Sequence, residues 1–185
     1  MVMDAHKTAR CIESYSRLKN LKLVGEELSI PWQTVYVHLR AAGVAVTGDK
    51  TRYGSDTDRL AAKAEDMFGT LVPNAINQNT LRFQSKVDFI VHGFSVDVKA
   101  SRLRNDRWAF SLKKQERIAD FFVCFAFNDD GSYRLLVIPA ELCRHMQTIS
   151  LSARSHTKWW DYEVPPTRLH RFFEDVASVA KPKAA

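Results

Sequence analysis

No run of apolar residues in this 185-residue chain is longer than the seven from Phe121 to Phe127. A transmembrane helix needs about 20, so none is expected. The opening Met1-Val2-Met3-Asp4-Ala5-His6-Lys7 lacks the apolar core of a signal peptide, and a cytoplasmic location is the expectation. Cysteine is scarce. Cys11, Cys124 and Cys143 are odd in number, widely spaced and without a CxxC. That argues against a disulfide framework and against a cysteine zinc site, and leaves reduced, partly buried thiols. There is no Walker A loop and no GxGxxG, so no nucleotide cofactor is expected. The six histidines form neither HExxH nor another paired metal spacing, and no internal repeat is visible.

What is present is an ordinary folded composition, 45% apolar and 26% charged. Lys and Arg number 27 against 21 Asp and Glu, a net charge of +6. That balance fits a nucleic-acid partner, and its distribution says more than its total. Lys99, Arg102, Arg104, Arg107, Lys113, Lys114 and Arg117 fall in one stretch, opposed by Asp106 and Glu116.

The first 46 residues read as three helices. Residues 5–18 carry Ala9, Ile12 and Tyr15 at helical spacing, and Asn20 breaks the pattern. Residues 21–28 place Leu21, Val24 and Leu28 on one face. Pro31 suits the first turn of a third helix, which ends at Gly43. These spacings resemble a helix-turn-helix, with Gly25 at the close approach of two helices, Ile30 in the turn, and Val35 and Leu39 as anchors. The resemblance makes Pro31–Arg40 a recognition helix and leaves Trp32, Gln33, Tyr36 and Arg40 for DNA. The alternative is a three-helix unit with no DNA role, since residues 1–50 carry a net charge of +2.

Residues 47–54 read as a linker, and 55–185 as a second domain. Ser55 can cap a helix that runs to about Phe68 and stops at Gly69, with Leu60, Ala64, Met67, Phe68 and Leu71 as its apolar stripe. Asp58 and Glu65, seven apart, share one edge of that helix. From Lys86 the period changes to two. Lys86–Val91 and Phe94–Ala100 read as a hairpin about His92-Gly93. Arg107–Leu112 reads as a third strand, 113–119 as a helical turn, and Asp120–Phe127 as a fully buried strand. Tyr133–Ile138 follows the turn Asn128-Asp129-Asp130-Gly131. Pro139 opens a short helix to about Met146, residues 150–166 read as irregular, and 166–179 as an amphipathic helix. The fold class is therefore α/β, a mixed sheet flanked by helices and preceded by a small all-α domain.

Chemistry concentrates in Val87-Asp88-Phe89-Ile90-Val91-His92-Gly93-Phe94-Ser95-Val96-Asp97-Val98-Lys99. In a strand Asp97 and Lys99 share a face, and a short hairpin brings Asp88 beside them. Burying charges is costly unless they are paired, and a divalent cation reduces the cost further. Mg²⁺ takes oxygen ligands and keeps several waters, so two carboxylates and a carbonyl would leave it room for a phosphate oxygen. The alternative is a structural ion pair between Asp97 and a lysine.

Asp88 followed by Asp97-Val98-Lys99 resembles the PD-(D/E)xK nuclease signature, and the order of elements over 54–138 is similar to that family's restriction-endonuclease-like core. The resemblance implies Mg²⁺-dependent hydrolysis of DNA phosphodiesters, with Mn²⁺ as a substitute. It implies metal binding by Asp88, Asp97 and the Val98 carbonyl, with catalytic assistance from Lys99. Family members carry a further acid on the preceding helix in a Gly-x-x-x-Glu arrangement. Gly54-Ser55-Asp56-Thr57-Asp58 is similar, with a shorter acid, and Glu65 competes with Asp58 for the role. Gln115 is the candidate for the polar residue that follows the core strands in several branches. Val87 stands where the family's proline would be.

The expectation is a sequence-specific endonuclease acting on double-stranded DNA as a homodimer. Arg102, Arg104, Arg107, Lys113 and Lys114 would contact phosphates, so affinity would fall with salt. The rivals are a non-catalytic helix-turn-helix regulator and a structure-selective nuclease of the junction-resolvase kind.

Overall fold

Asp4 opens the first helix, α1 (Ala5–Leu18), by accepting the amides of His6 and Lys7 on its carboxylate. Asn20 does the same for α2 (Leu21–Leu28), through Lys22 and Leu23. Such caps each satisfy backbone donors that a helix start leaves open. Ser29 turns the chain in the left-handed region, and α3 (Trp32–Ala41) follows, with Gly43 beyond its end at φ +73°. Gly25 is required here, because a Cβ would lie 2.7 Å from the Ile30 carbonyl oxygen. Cys11, Tyr15, Val24, Val35, Leu39 and Val46 form the core of these helices. The Tyr15 hydroxyl accepts the Gly48 amide at 3.0 Å.

The structure, a computed structural model, describes residues 4–81, 85–112 and 119–179. The chain divides into two compact units, one within Met1–Ser55 plus Asn79–Gln84 and the other within Asp56–Gln78 plus Ser85–Ala185. The expected linker is not irregular throughout: Lys50–Tyr53 forms a short helix, α4, because the Asp49 carboxylate accepts the Arg52 amide at 2.9 Å.

In the second unit α5 (Asp56–Leu71) continues through Gly69 rather than stopping there. Burial of Phe68 on its inner side, and of Val72 just past its end, outweighs the roughly 1 kcal/mol that a helical glycine costs. Then come β1 (Ile76–Asn77), the short α6 (Gln78–Leu81), which from Asn79 on belongs to the first unit, and, again in the second, β2 (Phe89–Val91) and β3 (Phe94–Arg102). They are followed by β4 (Arg107–Ser111), β5 (Phe121–Phe127) and β6 (Tyr133–Pro139). The main sheet runs β1-β2-β3-β5-β6, parallel between β3 and β5 and antiparallel elsewhere.

Two further expectations are corrected. The strand at 107–111 does not join the main sheet. It pairs antiparallel with β7 (Thr148–Ser152), whose first residues precede a stretch expected to be irregular and whose last lie inside it. The helix after Pro139 is one 3-10 turn, Ala140–Cys143. A second 3-10 turn (Lys158–Tyr162) and a third (Pro166–Arg168) precede α7 (Leu169–Val179).

The main sheet is covered on both faces. Val96 and Val98 share one cluster with Ala64 and Phe68 of α5 and Leu169 and Phe173 of α7. Phe122, Cys124 and Ile138 face the other way, with Trp108 and Phe110 of β4, Ile149 and Leu151 of β7, and Trp159 and Trp160. Each large side chain so buried contributes about 1.5–3 kcal/mol. All three cysteines are buried and none is in a disulfide. Among the described residues no helix is long and apolar enough to cross a membrane.

Candidate active site

The β2–β3 hairpin turns at His92 (φ +48°) and Gly93 (φ +86°), which sets Phe89 against Val96. Regular pairing of β2 stops at Phe89, yet the Asp88 amide still donates to the Val96 carbonyl at 3.1 Å. One rung further there is no β2 backbone to receive the Val98 amide. The Asp88 carboxylate takes it instead, at 2.8 Å. Asp88 is therefore positioned by the place where the strand ends.

Alternation along β3 sends Val96 and Val98 into the cluster under α5 and Asp97 and Lys99 to the opposite face. Their register partners on β5 are Phe122 and Cys124. Lys99 Nζ donates to Asp97 Oδ1 at 2.8 Å, with 16% and 23% of the two side chains exposed. Burial pushes the Asp97 carboxyl up to about 6, and the neighbouring Asp88, with which it hydrogen-bonds, pushes the same way; Lys99 opposes both. Cys124, beneath them, has its thiol pushed up by burial and is inert as a nucleophile.

The parallel pairing of β3 with β5 is fixed at its start by Asp120. Its carboxylate accepts the Ser95 amide and the Ser95 hydroxyl, each at 2.8 Å. This clasp, which holds the strand bearing Asp97, is a feature that the sequence reading missed. Its one signal is an acid placed immediately before a wholly apolar run.

The structure thus brings Asp88, Asp97 and Lys99 together. Asp58 is exposed in the first turn of α5 and Glu65 is half-buried two turns on, on a helix whose packing face meets the other side of β3. The groups acting on the Asp97 carboxyl are Lys99 and Asp88. Gln115, Lys113 and Lys114 lie outside the described residues. Arg102, Arg104 and Arg107 are exposed where β3 leads into β4. On α3 Trp32 is 44% exposed, Gln33 and Arg40 are exposed, and Tyr36 packs partly against the helical core.

The donor set suits a hard divalent cation: two carboxylates that repel each other, and a carbonyl. A strand residue directs its N–H and C=O to the same edge, so the Val98 carbonyl faces the side on which Asp88 holds the Val98 amide. Among the described residues no group of three or more His, Cys, Asp or Glu side chains is placed to hold a metal. Any ion here would rest on the two acids, backbone oxygen and water, as Mg²⁺ tolerates and Zn²⁺ sites do not favour.

No protein-family model matches the chain, and no curated protein matches it. Among solved structures it is similar to a bacterial homing endonuclease, I-Ssp6803I. The TM-score is 0.51 at 14% identity, over 67% of this chain and 96% of that one. The fold is one that a homing endonuclease uses. At this identity the likeness is one of fold, and the chemistry rests on the residues above.

Proposed function

We propose that the chain is a Mg²⁺-dependent DNA endonuclease of the PD-(D/E)xK type. The observation that carries this is the half-buried Asp88–Asp97–Lys99 group, in which the Asp97 carboxyl is pushed up to about 6 on a fold shared with a homing endonuclease. Perturbed carboxyls cluster at functional sites because a site must hold charges that folding alone would avoid. Asp88, Asp97 and the Val98 carbonyl hold the ion, and Mn²⁺ substitutes. When bound, the ion lowers the pKa of a coordinated water and offsets charge on the phosphate.

The rest is done by the chain's own groups. Asp97 changes from a shared-proton acid to a carboxylate acceptor. Lys99, fixed by its ion pair with Asp97, presents an ammonium that orients water and stabilises the developing negative charge. Glu65, the half-buried helix acid, and the exposed Asp58 are the candidates for a further contact, as is Gln115. The N-terminal three-helix unit acts as a helix-turn-helix that selects double-stranded DNA through Trp32, Gln33, Tyr36 and Arg40. Arg102, Arg104, Arg107, Lys113 and Lys114 contact phosphates. The enzyme works as a homodimer in the cytoplasm.

The test is incubation of supercoiled plasmid, long linear DNA and branched DNA with Mg²⁺, Mn²⁺ or EDTA. Wild type is compared with Asp97→Ala and Lys99→Ala. Metal-dependent cutting, abolished by both substitutions and giving discrete fragments, is the expected result. Preference for branched DNA would replace sequence specificity with structure selectivity. Salt-sensitive binding with no cutting of any substrate would reduce the chain to a regulator.

A further inference from the structure

The outward face of the β4–β7 ribbon is rich in short hydroxyl side chains. Arg107, Ala109 and Ser111 on β4 alternate with the buried Trp108 and Phe110. Opposite them, Ser152, Ser150 and Thr148 on β7 alternate with Leu151 and Ile149. The face therefore carries four hydroxyl side chains, one alanine and one arginine, with no carboxylate. Arg107 donates to the Ser150 hydroxyl at 3.5 Å.

The surroundings are basic. The chain enters β4 through a two-residue turn at Asn105 (φ +48°) and Asp106 (φ +59°), across which Arg104 and Arg107 exchange both backbone hydrogen bonds. Asp106 is the one acid among residues 102–112, and Arg154 pairs with it at 2.6 Å. The Asp106 carbonyl also accepts the Ala153 amide at 2.9 Å, which ties the turn to the end of β7. From Arg144 to Lys158 there is no acid at all.

The ribbon is anchored on its inner side and adjoins the candidate site. Its inner side is fixed by the second apolar cluster. The Ala109 amide donates to the Ser101 hydroxyl at 3.0 Å, and Ser101 lies two residues beyond Lys99 on β3.

We propose that this face of the ribbon enters the major groove of duplex DNA and reads base edges beside the scissile phosphate. It rests on the nuclease reading above and names the element that supplies specificity next to the cut. The major groove, about 12 Å wide, admits a two-stranded ribbon. Short side chains let the backbone approach the groove floor. Hydroxyls serve either donor or acceptor edges, and Arg104 and Arg107 are suited to the paired acceptors of guanine.

The test uses the full chain in EDTA with duplex oligonucleotides, followed by fragment analysis in Mg²⁺. Ala109→Glu and Thr148→Glu each place a carboxylate on the face; both positions are exposed, and Ala109→Ser is the conservative control. Each acidic variant is expected to weaken duplex binding about tenfold or more, by repulsion from phosphate and loss of fit, while Ala109→Ser binds like wild type. Replacing guanine by 7-deazaguanine removes a major-groove acceptor and is expected to weaken wild-type binding.

Wild-type affinity and an unchanged fragment pattern in both acidic variants would overturn the ribbon while leaving the nuclease intact. Indifference to 7-deazaguanine would overturn the groove assignment. Loss of binding in the acidic variants, with no metal-dependent cutting by wild type, would sink the nuclease and the position beside a cut, and leave a ribbon that binds DNA. A wild type that binds no duplex would sink both.

Discussion

Asp97 is a carboxyl whose folded environment holds its proton to about pH 6, against 3.8 in the unfolded chain. The native state therefore binds more protons than the unfolded state between those values. In the metal-free protein that contribution to stability is present at about pH 4 and is lost as the pH rises through about 6; it is on the order of 3 kcal/mol. Stability to urea should accordingly fall between those limits, opposite to the trend of a salt-bridged acid. Two substitutions separate the causes. Asp88→Asn removes a like charge and should lower the Asp97 titration. Lys99→Gln removes a cation and should raise it. Carboxyl-carbon NMR of the metal-free chain reads both, and shifts of the same sign would contradict the arrangement. The functional reading adds that occupancy by Mg²⁺ displaces the proton. Metal should then restore stability most strongly above pH 6, with an effect that Asp97→Asn removes.

At the scale of elements, the three N-terminal helices were legible because their starts and stops are chemical. Asp4 and Asn20 cap, Gly43 ends, and the apolar stripe between them has one period. The β2–β3 hairpin was legible from His92-Gly93, and with it the shared face of Asp97 and Lys99. The bond from Asp88 to the Val98 amide was not, because it depends on where β2 stops pairing. The strand β7 was hidden for a related reason. Thr148–Ser152 is five residues of alternating hydroxyl and apolar character, and Ile149 and Leu151 gain their meaning from Phe110 and Trp108 of β4, far earlier in the chain. The extension of α5 past Gly69 likewise follows from where Val72 is buried, a tertiary fact. Two elements give direct tests. Gly25→Ala drives a Cβ to 2.7 Å from the Ile30 carbonyl, and should cost the three-helix unit about 1–3 kcal/mol in urea unfolding. Asp120→Ala removes the acceptor for two Ser95 donors. It should cost about 2 kcal/mol and speed hydrogen exchange at the Ser95 amide, with β6 less affected. Unchanged exchange at Ser95 would show that the clasp does not hold the parallel pairing.

At the scale of the whole molecule, the decisive quantity is the number of sites. Each chain supplies one Asp88–Asp97–Lys99 group, and a duplex presents two scissile strands of opposite polarity. On the nuclease reading proposed above, a twofold pair of chains would place one site at each strand, because an isologous dimer matches the pseudo-twofold symmetry of the duplex backbone. A net charge of +6 per chain opposes pairing in free solution, and the phosphates between the two chains would offset it. Dimers should therefore form more readily on DNA than off it. With supercoiled plasmid, low protein concentration should give nicked circles, and linear product should rise more steeply than the first power of concentration. Mixing wild type with excess Asp97→Ala should convert linear product to nicked circles, since a mixed pair holds one competent site. If linearisation stays first-order in protein, and the mixture dilutes both products equally, each chain cuts both strands alone and the dimer is not needed.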